Sequence, residues 1–88
     1  MQDVKVIKML SSQGKILYAL SDGPKSLSEL LSITGLSVGT IYYNIKELII
    51  HGFVIKVSKG KYSITKKGLE VLHRITKELQ TVTQSSTR

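Results

Sequence analysis

Cysteine and tryptophan are missing from this chain of 88 residues, and proline occurs only once. Without cysteine, the chain forms neither a disulfide scaffold nor a cysteine-based zinc site, and its composition suits a reducing compartment. No apolar run approaches the roughly 18–20 residues of a membrane-spanning helix, and no signal-peptide segment follows the first residue. We therefore expect an intracellular, cytoplasmic protein that has no membrane partner.

Acidic residues are scarce as well. Six aspartates and glutamates face thirteen lysines and arginines, which gives a net charge of +7. Such a surplus favours a polyanionic partner, either a nucleic acid or an anionic membrane surface. The alternative interpretation is a lysine-rich surface that serves only solubility.

The groups that enzymes need are also absent. The chain has no convincing Ser–His–Asp arrangement, no phosphate-binding loop and no carboxylate pair beside a base. Its two histidines, His51 and His73, are too few for a metal-sensing cluster. We expect a protein that is not an enzyme and that needs no metal or cofactor.

Apolar periodicity predicts the first elements. Residues 3–10 suit either one face of a short helix or the start of a strand. Ser11 or Ser12 is a suitable N-cap for a helix over residues 13–20, and "SDGP" at residues 21–24 is typical of a turn. The side chains expected to face inward from this helix are Ile16, Leu17 and Leu20.

Two helices are predicted next, over residues 26–51. Ser26 and Glu29 have the spacing of a capping box, Gly35 ends the short first helix, and Ser37 begins a longer one that ends at Gly52. The apolar stripe of the second helix consists of Ile41, Ile45, Leu48 and Ile49. Two helices joined by so short a connection predict a helix-turn-helix.

After the second helix, the apolar pattern changes from helical spacing to alternation at every second residue. Residues 53–65 alternate around the Gly-centred turn "SKGK", which predicts a two-stranded hairpin with a lysine-rich tip. A final helix is expected over residues 66–82, and a disordered tail over residues 83–88. This order predicts a winged helix-turn-helix: one mainly α domain over residues 1–82 with a small β-hairpin.

"SVGTIYYNIKELIIHGFVIK", followed by "KYSITKKG", resembles the PadR-type branch of the winged-helix regulators and, more loosely, the ArsR and MarR branches. The resemblance covers about residues 12–75. It implies a DNA-binding regulator. The wing is shorter than is usual in PadR-type proteins. Small basic winged-helix proteins of archaeal chromosomes, plasmids and viruses are similar in size and composition.

The helix over residues 37–51 is predicted to enter the major groove of double-stranded DNA, N-terminus first. A lysine-rich wing would contact the backbone, unless its charge serves only to block edge pairing of the hairpin. The predicted DNA contacts are Ser26, Ser37, Val38, Gly39, Thr40, Tyr42, Tyr43, Lys46, Lys56, Lys59 and Lys61.

Two adjacent tyrosines stand out in this helix. Tyr43 lies about 200° from Ile41 around the helix axis and is expected to face DNA. Tyr42 lies only about 100° from Ile41, and we expect it to be partly buried. In the resembled family, however, the first tyrosine of such a pair commonly faces DNA. The other interpretation is that both rings are packing residues.

A homodimer is predicted, because one domain reading a few base pairs would bind weakly. Apolar faces at both ends of the chain exceed what a small core needs, although they also suit packing onto their own domain. The residues predicted to form the dimer interface are Val4, Ile7, Leu10, Leu72, Ile75, Leu79 and Val82.

The favoured function is a dimeric, sequence-specific transcriptional regulator associated with the nucleoid. The alternative is a DNA-organising or partition protein that starts at one site and spreads along DNA. Such a role suits a recognition helix that is poor in Arg, Gln and Asn. A protein-interaction module would need no basic wing, and an RNA-binding module would lack the usual aromatic stacking platform. A further protein partner is left open.

Overall fold

The computed structural model describes residues 10–86, and the side chains of residues 10–78. Within these residues, four helices and three short strands follow one another in the order of a winged helix-turn-helix, as predicted. The elements are α1 (Ser12–Leu20), β1 (Lys25–Ser26), α2 (Leu27–Thr34), α3 (Val38–Ile50), β2 (Val54–Ser58), β3 (Lys61–Ile64) and α4 (Lys66–Ser86).

Serine side chains begin the first three helices. Ser11 accepts a hydrogen bond of 3.2 Å from the backbone N–H of Gly14 at the start of α1. Ser26 accepts one of 3.2 Å from the N–H of Glu29, whose carboxylate accepts one of 2.9 Å from the N–H of Ser26. These bonds satisfy N–H groups that a helix terminus leaves unpaired, and they confirm the predicted caps at Ser11 and Ser26.

The turn between α2 and α3 is held by two residues. Gly35 has a φ of 72° and donates its N–H to the carbonyl of Leu31. The Thr34 hydroxyl donates to the carbonyl of Leu30 at 2.7 Å and accepts from the N–H of Leu36 at 3.2 Å. The short connection therefore holds α3 at a defined angle to α2.

The core lies where α1, α2 and α3 meet the sheet. Burying each of its large aliphatic side chains contributes about 1.5–3 kcal/mol. The most completely buried side chains are Ile16, Leu17, Leu20, Leu30, Ile41, Leu48 and Val54.

Ile49 does not face this core, in contrast to its predicted place on the inward stripe of α3. It is 40% exposed, whereas Asn44 is buried. The side-chain amide of Asn44 donates to the carbonyl of Thr40 at 2.8 Å, so a polar residue occupies the core-side position with its donor satisfied. The face of α3 that packs on the core is consequently turned about the helix axis, away from Ile49 and toward Asn44.

The sheet has three antiparallel strands in the order β1-β3-β2. The hairpin of β2 and β3 agrees with the prediction, whereas β1 was not predicted. In β1, Lys25 pairs with Tyr62 and Ser26 pairs with Lys61. Between Lys56 and Ser58 the register of β2 shifts against β3, as in a β-bulge.

A compact joint connects α4 to the end of α3 and the base of the wing. The Thr65 hydroxyl donates to the carbonyl of Gly52 at 2.7 Å and accepts from the N–H of Gly68 at 3.0 Å, so Thr65 caps α4. Gly68 is buried, and a Cβ atom there would overlap the carbonyl oxygen of Phe53 and lie 2.7 Å from Cγ1 of Ile64. Only glycine fits this close approach.

The boundary of α4 differs from the prediction. The helix continues to Ser86, so residues 83–86 belong to it rather than to a disordered tail. No glycine or proline interrupts this stretch, and each residue added to an existing helix gains a hydrogen bond. None of the helices in the described part of the chain is both long enough and apolar enough to cross a membrane.

Two of the predicted dimer contacts are core residues of the chain itself. Leu10 and Leu72 are each only 6% exposed, and Leu72 belongs to the central apolar cluster. The structure thus packs both side chains within one protomer, where α1 and α4 also contact each other, and their role at a dimer interface stays a prediction. Val4 and Ile7 lie outside the described residues, as do the side chains of Leu79 and Val82.

Candidate nucleic-acid interface

Short polar and apolar side chains surround the exposed N-terminus of α3. Ser37 accepts from the N–H of Thr40 at 3.2 Å, and its hydroxyl donates to the Thr40 hydroxyl at 2.8 Å. The proton of the Thr40 hydroxyl is thereby left for another acceptor. Val38 and Gly39 are exposed beside it. A helix N-terminus with free donors suits a phosphate group.

The two tyrosines of α3 both face outward. Tyr43 is 65% exposed, as expected. Tyr42 is 53% exposed, which corrects the expectation that it is partly buried. The reason is the same rotation of α3 that exposes Ile49, because Asn44 on the opposite side of the helix takes a core position.

An open groove of about 530 Å³ runs between α3 and the sheet. Lys46 enters it from the helix and Lys56 from β2, and none of the described residues that line it is acidic. Lys56 and Tyr62 are direct partners across β2 and β3, so both side chains share the face of the sheet that looks toward α3. The groove is lined by Tyr42, Tyr43, Ile45, Lys46, Ile49, Ile50, Lys56 and Tyr62.

The remaining predicted contacts lie outside this groove. Lys59 is exposed in the turn between β2 and β3, and Lys61 is exposed at the start of β3. Ser26 pairs with Lys61 across the sheet and uses its hydroxyl to cap α2. These three residues form a separate surface at the wing and the N-terminus of α2.

Two carboxylates near this second surface have lowered pKa values. The hydrogen bond from the backbone N–H of Ser26 lowers the pKa of Glu29, and the Ser26 side chain and the charges of Lys61 and Lys25 act in the same direction. The hydrogen bond from Lys25, which is 2.6 Å from the Asp22 carboxylate, lowers the pKa of Asp22. Lys25 is thus paired and is not a free cation of the wing.

The lysines that follow the wing point elsewhere. The Lys67 ammonium lies 5.5 Å from the ring centroid of Phe53, within the range of a cation–π contact. Lys66 lies on the outer surface of α4 together with His73 and Arg74. His51 ends α3, stacks on Phe53 at 5.9 Å and lies 4.0 Å from Glu47. The described residues contain no cluster of three or more side chains suited to a metal ion.

Sequence reasoning missed the apolar half of the groove. Tyr62, Ile49 and Ile50 line it, yet none of them was among the predicted contacts. The alternation around the wing turn carries a signal for Tyr62, since it places Tyr62 opposite Lys56 once the hairpin register is known. The exposure of Ile49 and Ile50 depends on the rotation of α3, and no comparable pattern in the sequence predicts it.

The fold is similar to those of several solved transcriptional regulators. BldR from Sulfolobus solfataricus is 25% identical, with a TM-score of 0.76 over 93% of this chain and 63% of BldR. A possible HxlR-family transcriptional factor from Thermoplasma volcanium is 23% identical, with a TM-score of 0.70 over 99% of this chain and 84% of that protein.

BpsR from Bordetella bronchiseptica, whose DNA binding is regulated by 6-hydroxynicotinic acid, is 23% identical, with a TM-score of 0.76 over 89% of this chain. The chain spans only 60% of the length of BpsR. No curated protein matches the chain in sequence. These neighbours confirm the predicted winged-helix fold.

The family assignment rests on a match that covers nearly the whole chain. The matching family model describes the N-terminal domain of the methanogenesis regulatory protein FilR1 and extends over residues 1–84. Both this family and the structural neighbours consist of regulators rather than enzymes, in agreement with the prediction from sequence. A closer relationship to the PadR-type branch stays a prediction. The chain belongs to the family of the FilR1 N-terminal domain.

Proposed function

We propose that this protein is a dimeric transcriptional regulator that binds double-stranded DNA, with α3 in the major groove and the wing on the adjacent backbone. The observation that carries the proposal is the groove between α3 and the sheet. Two lysines on different elements, Lys46 and Lys56, converge on it, and the described residues that line it include no acidic side chain to oppose them. Double-stranded DNA suits this surface for two reasons. It is a polyanion, and its major groove admits one α-helix such as α3.

The surroundings of the groove support the same partner. The N-terminus of α3 offers the Thr40 hydroxyl and free backbone donors for a phosphate. Lys59 and Lys61 are exposed at the wing, where they reach a neighbouring phosphate or the minor groove. Lysine acts as a point charge, so the wing supplies affinity rather than sequence choice. A protein bound in this way is associated with the nucleoid.

Dimerisation through α4 completes the proposal. Ile75 is half-buried and is not part of the central apolar cluster, so it remains for an intermolecular contact together with Leu79 and Val82. Two copies joined in this way present two recognition helices to one palindromic site. The double contact raises affinity well above that of a single domain.

A DNA-organising or partition role is the second candidate. One observation favours it: no arginine or glutamine occurs in α3, and its one asparagine is buried. A helix with so few hydrogen-bonding groups for base edges suits a protein that covers DNA beyond one defined site.

DNase footprinting of the DNA upstream of the gene distinguishes these functions. A regulator is expected to protect one palindrome of about 15–25 bp, with half-sites one helical turn apart. Protection that begins at one site and lengthens with protein concentration would instead indicate the organising role. No protection at low salt, where lysine–phosphate contacts are strongest, would overturn DNA binding altogether.

Substitutions of the two groove lysines test this proposal, and a substitution of Arg74 provides the matched control. Lys46→Ala and Lys56→Ala are each expected to weaken binding and to reduce the slope of log K against log salt by about one. Arg74→Ala removes the same charge from the outer surface of α4 and is expected to leave that slope unchanged. Equal effects of all three substitutions would mean that net charge, rather than the groove, determines binding.

A further inference from the structure

We infer that α3 reads thymine through its 5-methyl group, so that the protein selects A·T-rich major grooves. This inference rests on the proposed DNA-binding function and specifies the base that the helix recognises. It follows from the juxtaposition of exposed tyrosine and aliphatic side chains on α3 with two lysines, in a groove whose described lining residues include no acidic side chain.

The exposed face of α3 carries no arginine, glutamine or asparagine side chain for a base edge. The amide of Asn44 is buried and bonded to the carbonyl of Thr40. The carboxylate of Glu47 does not line the groove and lies 4.0 Å from His51. Lys46 is the one charged residue of α3 that lines the groove. The rest of the exposed face consists of Val38, Gly39, Tyr42, Tyr43, Ile49 and Ile50.

Exposed apolar side chains in such a number indicate a binding surface. Ile50 is 66% exposed and Ile49 beside it is 40% exposed. A contiguous apolar patch on a small domain normally marks an interaction site. Here the patch is continuous with the groove, so whatever contacts α3 buries these side chains as well.

Thymine is the base that offers an apolar group in the major groove. Its C5-methyl projects there, whereas cytosine, guanine and adenine present donors and acceptors but no methyl group to these side chains. Burying one methyl group contributes about 0.8 kcal/mol, which corresponds to about a fourfold change in affinity. Tyrosine and isoleucine side chains provide the carbon surface for that contact.

Charge complementarity identifies DNA as the occupant of this patch. Lys46 lines the groove from the helix side and Lys56 from the sheet side, and all other lining residues are uncharged. A partner must therefore combine a line of negative charge with an apolar group between the two lysines. The phosphates and thymine methyls of a duplex have this arrangement.

The test begins with a pool of random duplexes of about 30 bp, from which the protein selects its tightest binders at low salt. The enriched sequences are expected to carry runs of A·T pairs. The best duplex is then synthesised twice, with thymine or with deoxyuridine at every thymine position, and both dissociation constants are measured. Removing the methyl groups is expected to weaken binding about fourfold for each methyl in contact.

Variants connect the discrimination to α3. Tyr42→Ala and Tyr43→Ala remove exposed rings and are expected to reduce the preference for thymine over uracil. The matched control is Ile55→Ala, which removes a 49% exposed side chain from the face of β2 turned away from the groove. This control is expected to retain the full preference.

The outcomes separate this inference from the proposed function. Tight binding with equal affinity for the thymine and uracil duplexes, or enrichment of G·C-rich sequences, would overturn thymine reading and leave DNA binding intact. Failure to bind any duplex of the pool at low salt would overturn the proposed function itself.

Discussion

At the residue scale, the carboxylate of Glu29 determines where the helix-turn-helix begins. It accepts a 2.9 Å hydrogen bond from the N–H of Ser26, while its own N–H donates to the Ser26 hydroxyl. The backbone bond is the main reason why the pKa of Glu29 is lowered, and the nearby lysines lower it further. The cap is therefore strongest when Glu29 is ionised.

This geometry predicts a pH dependence of stability. A carboxyl whose pKa is lower in the folded chain than in the unfolded chain contributes stability above its unfolded pKa and loses that contribution as the pH falls through the folded value. Glu29→Gln retains an acceptor for the Ser26 N–H but removes the charge. We expect urea unfolding between pH ~6 and ~3 to show a smaller acid-dependent loss for this variant than for the wild type.

Glu70→Gln is the control, because its carboxylate takes no part in a helix cap. It is expected to leave the contribution of Glu29 to the pH profile intact. The same reduction of the acid-dependent loss in both variants would show that general charge repulsion, and not the cap, is responsible.

At the element scale, Gly68 allows α4 to approach the base of the wing. A side chain there would overlap the Phe53 carbonyl, which is backbone and cannot rotate away, and would press on Ile64. We expect Gly68→Ala to lower the free energy of unfolding by about 1–3 kcal/mol, the usual cost of overpacking. Chemical denaturation followed by circular dichroism measures this change.

Gly39 provides the matched substitution in another helix. A Cβ atom at Gly39 has nothing within 4 Å, and the residue has no positive φ. Gly39→Ala is therefore expected to raise the free energy of unfolding by about 0.4–1 kcal/mol through reduced entropy of the unfolded chain. A loss of stability at Gly39 similar to that at Gly68 would contradict the packing explanation.

Local signals made most of these elements predictable. Ser26 with Glu29, and Ser37 before the apolar stripe, mark helix starts because a cap needs only neighbouring residues. Strand β1 was not predictable in this way, because two residues have no period and their pairing depends on Tyr62 and Lys61, far along the chain. The same limit applies to Tyr42 and Ile49, whose exposure depends on how α3 packs rather than on their spacing.

At the scale of the whole molecule, the outer part of α4 is the surface proposed for dimerisation. Leu72 is used by the protomer's own core, which moves the proposed contact outward to Ile75 and beyond. We expect the double variant Ile75→Asp, Leu79→Asp to be monomeric in sedimentation equilibrium at concentrations where the wild type is dimeric. Two aspartates in an apolar interface would remain unpaired and strongly destabilise it.

His73→Asp serves as the control, since His73 is exposed on the outer surface of α4, and this variant is expected to remain dimeric. Circular dichroism verifies that each variant is folded. A double variant that stays dimeric would exclude this face of α4, and a wild type that is monomeric throughout would exclude the dimer.

The contacts among Thr65, Gly52 and Gly68 would fix the distance between the two half-sites that a dimer binds. Hydrogen bonds and close packing connect α4 to the end of α3, so the two helices turn as one body. In a dimer joined through α4, the separation of the two recognition helices is then a fixed length of the protein. Half-sites moved apart by ~5 bp face opposite sides of the duplex, and such a dimer would contact only one of them. The protein would thus select the spacing of its half-sites as well as their sequence.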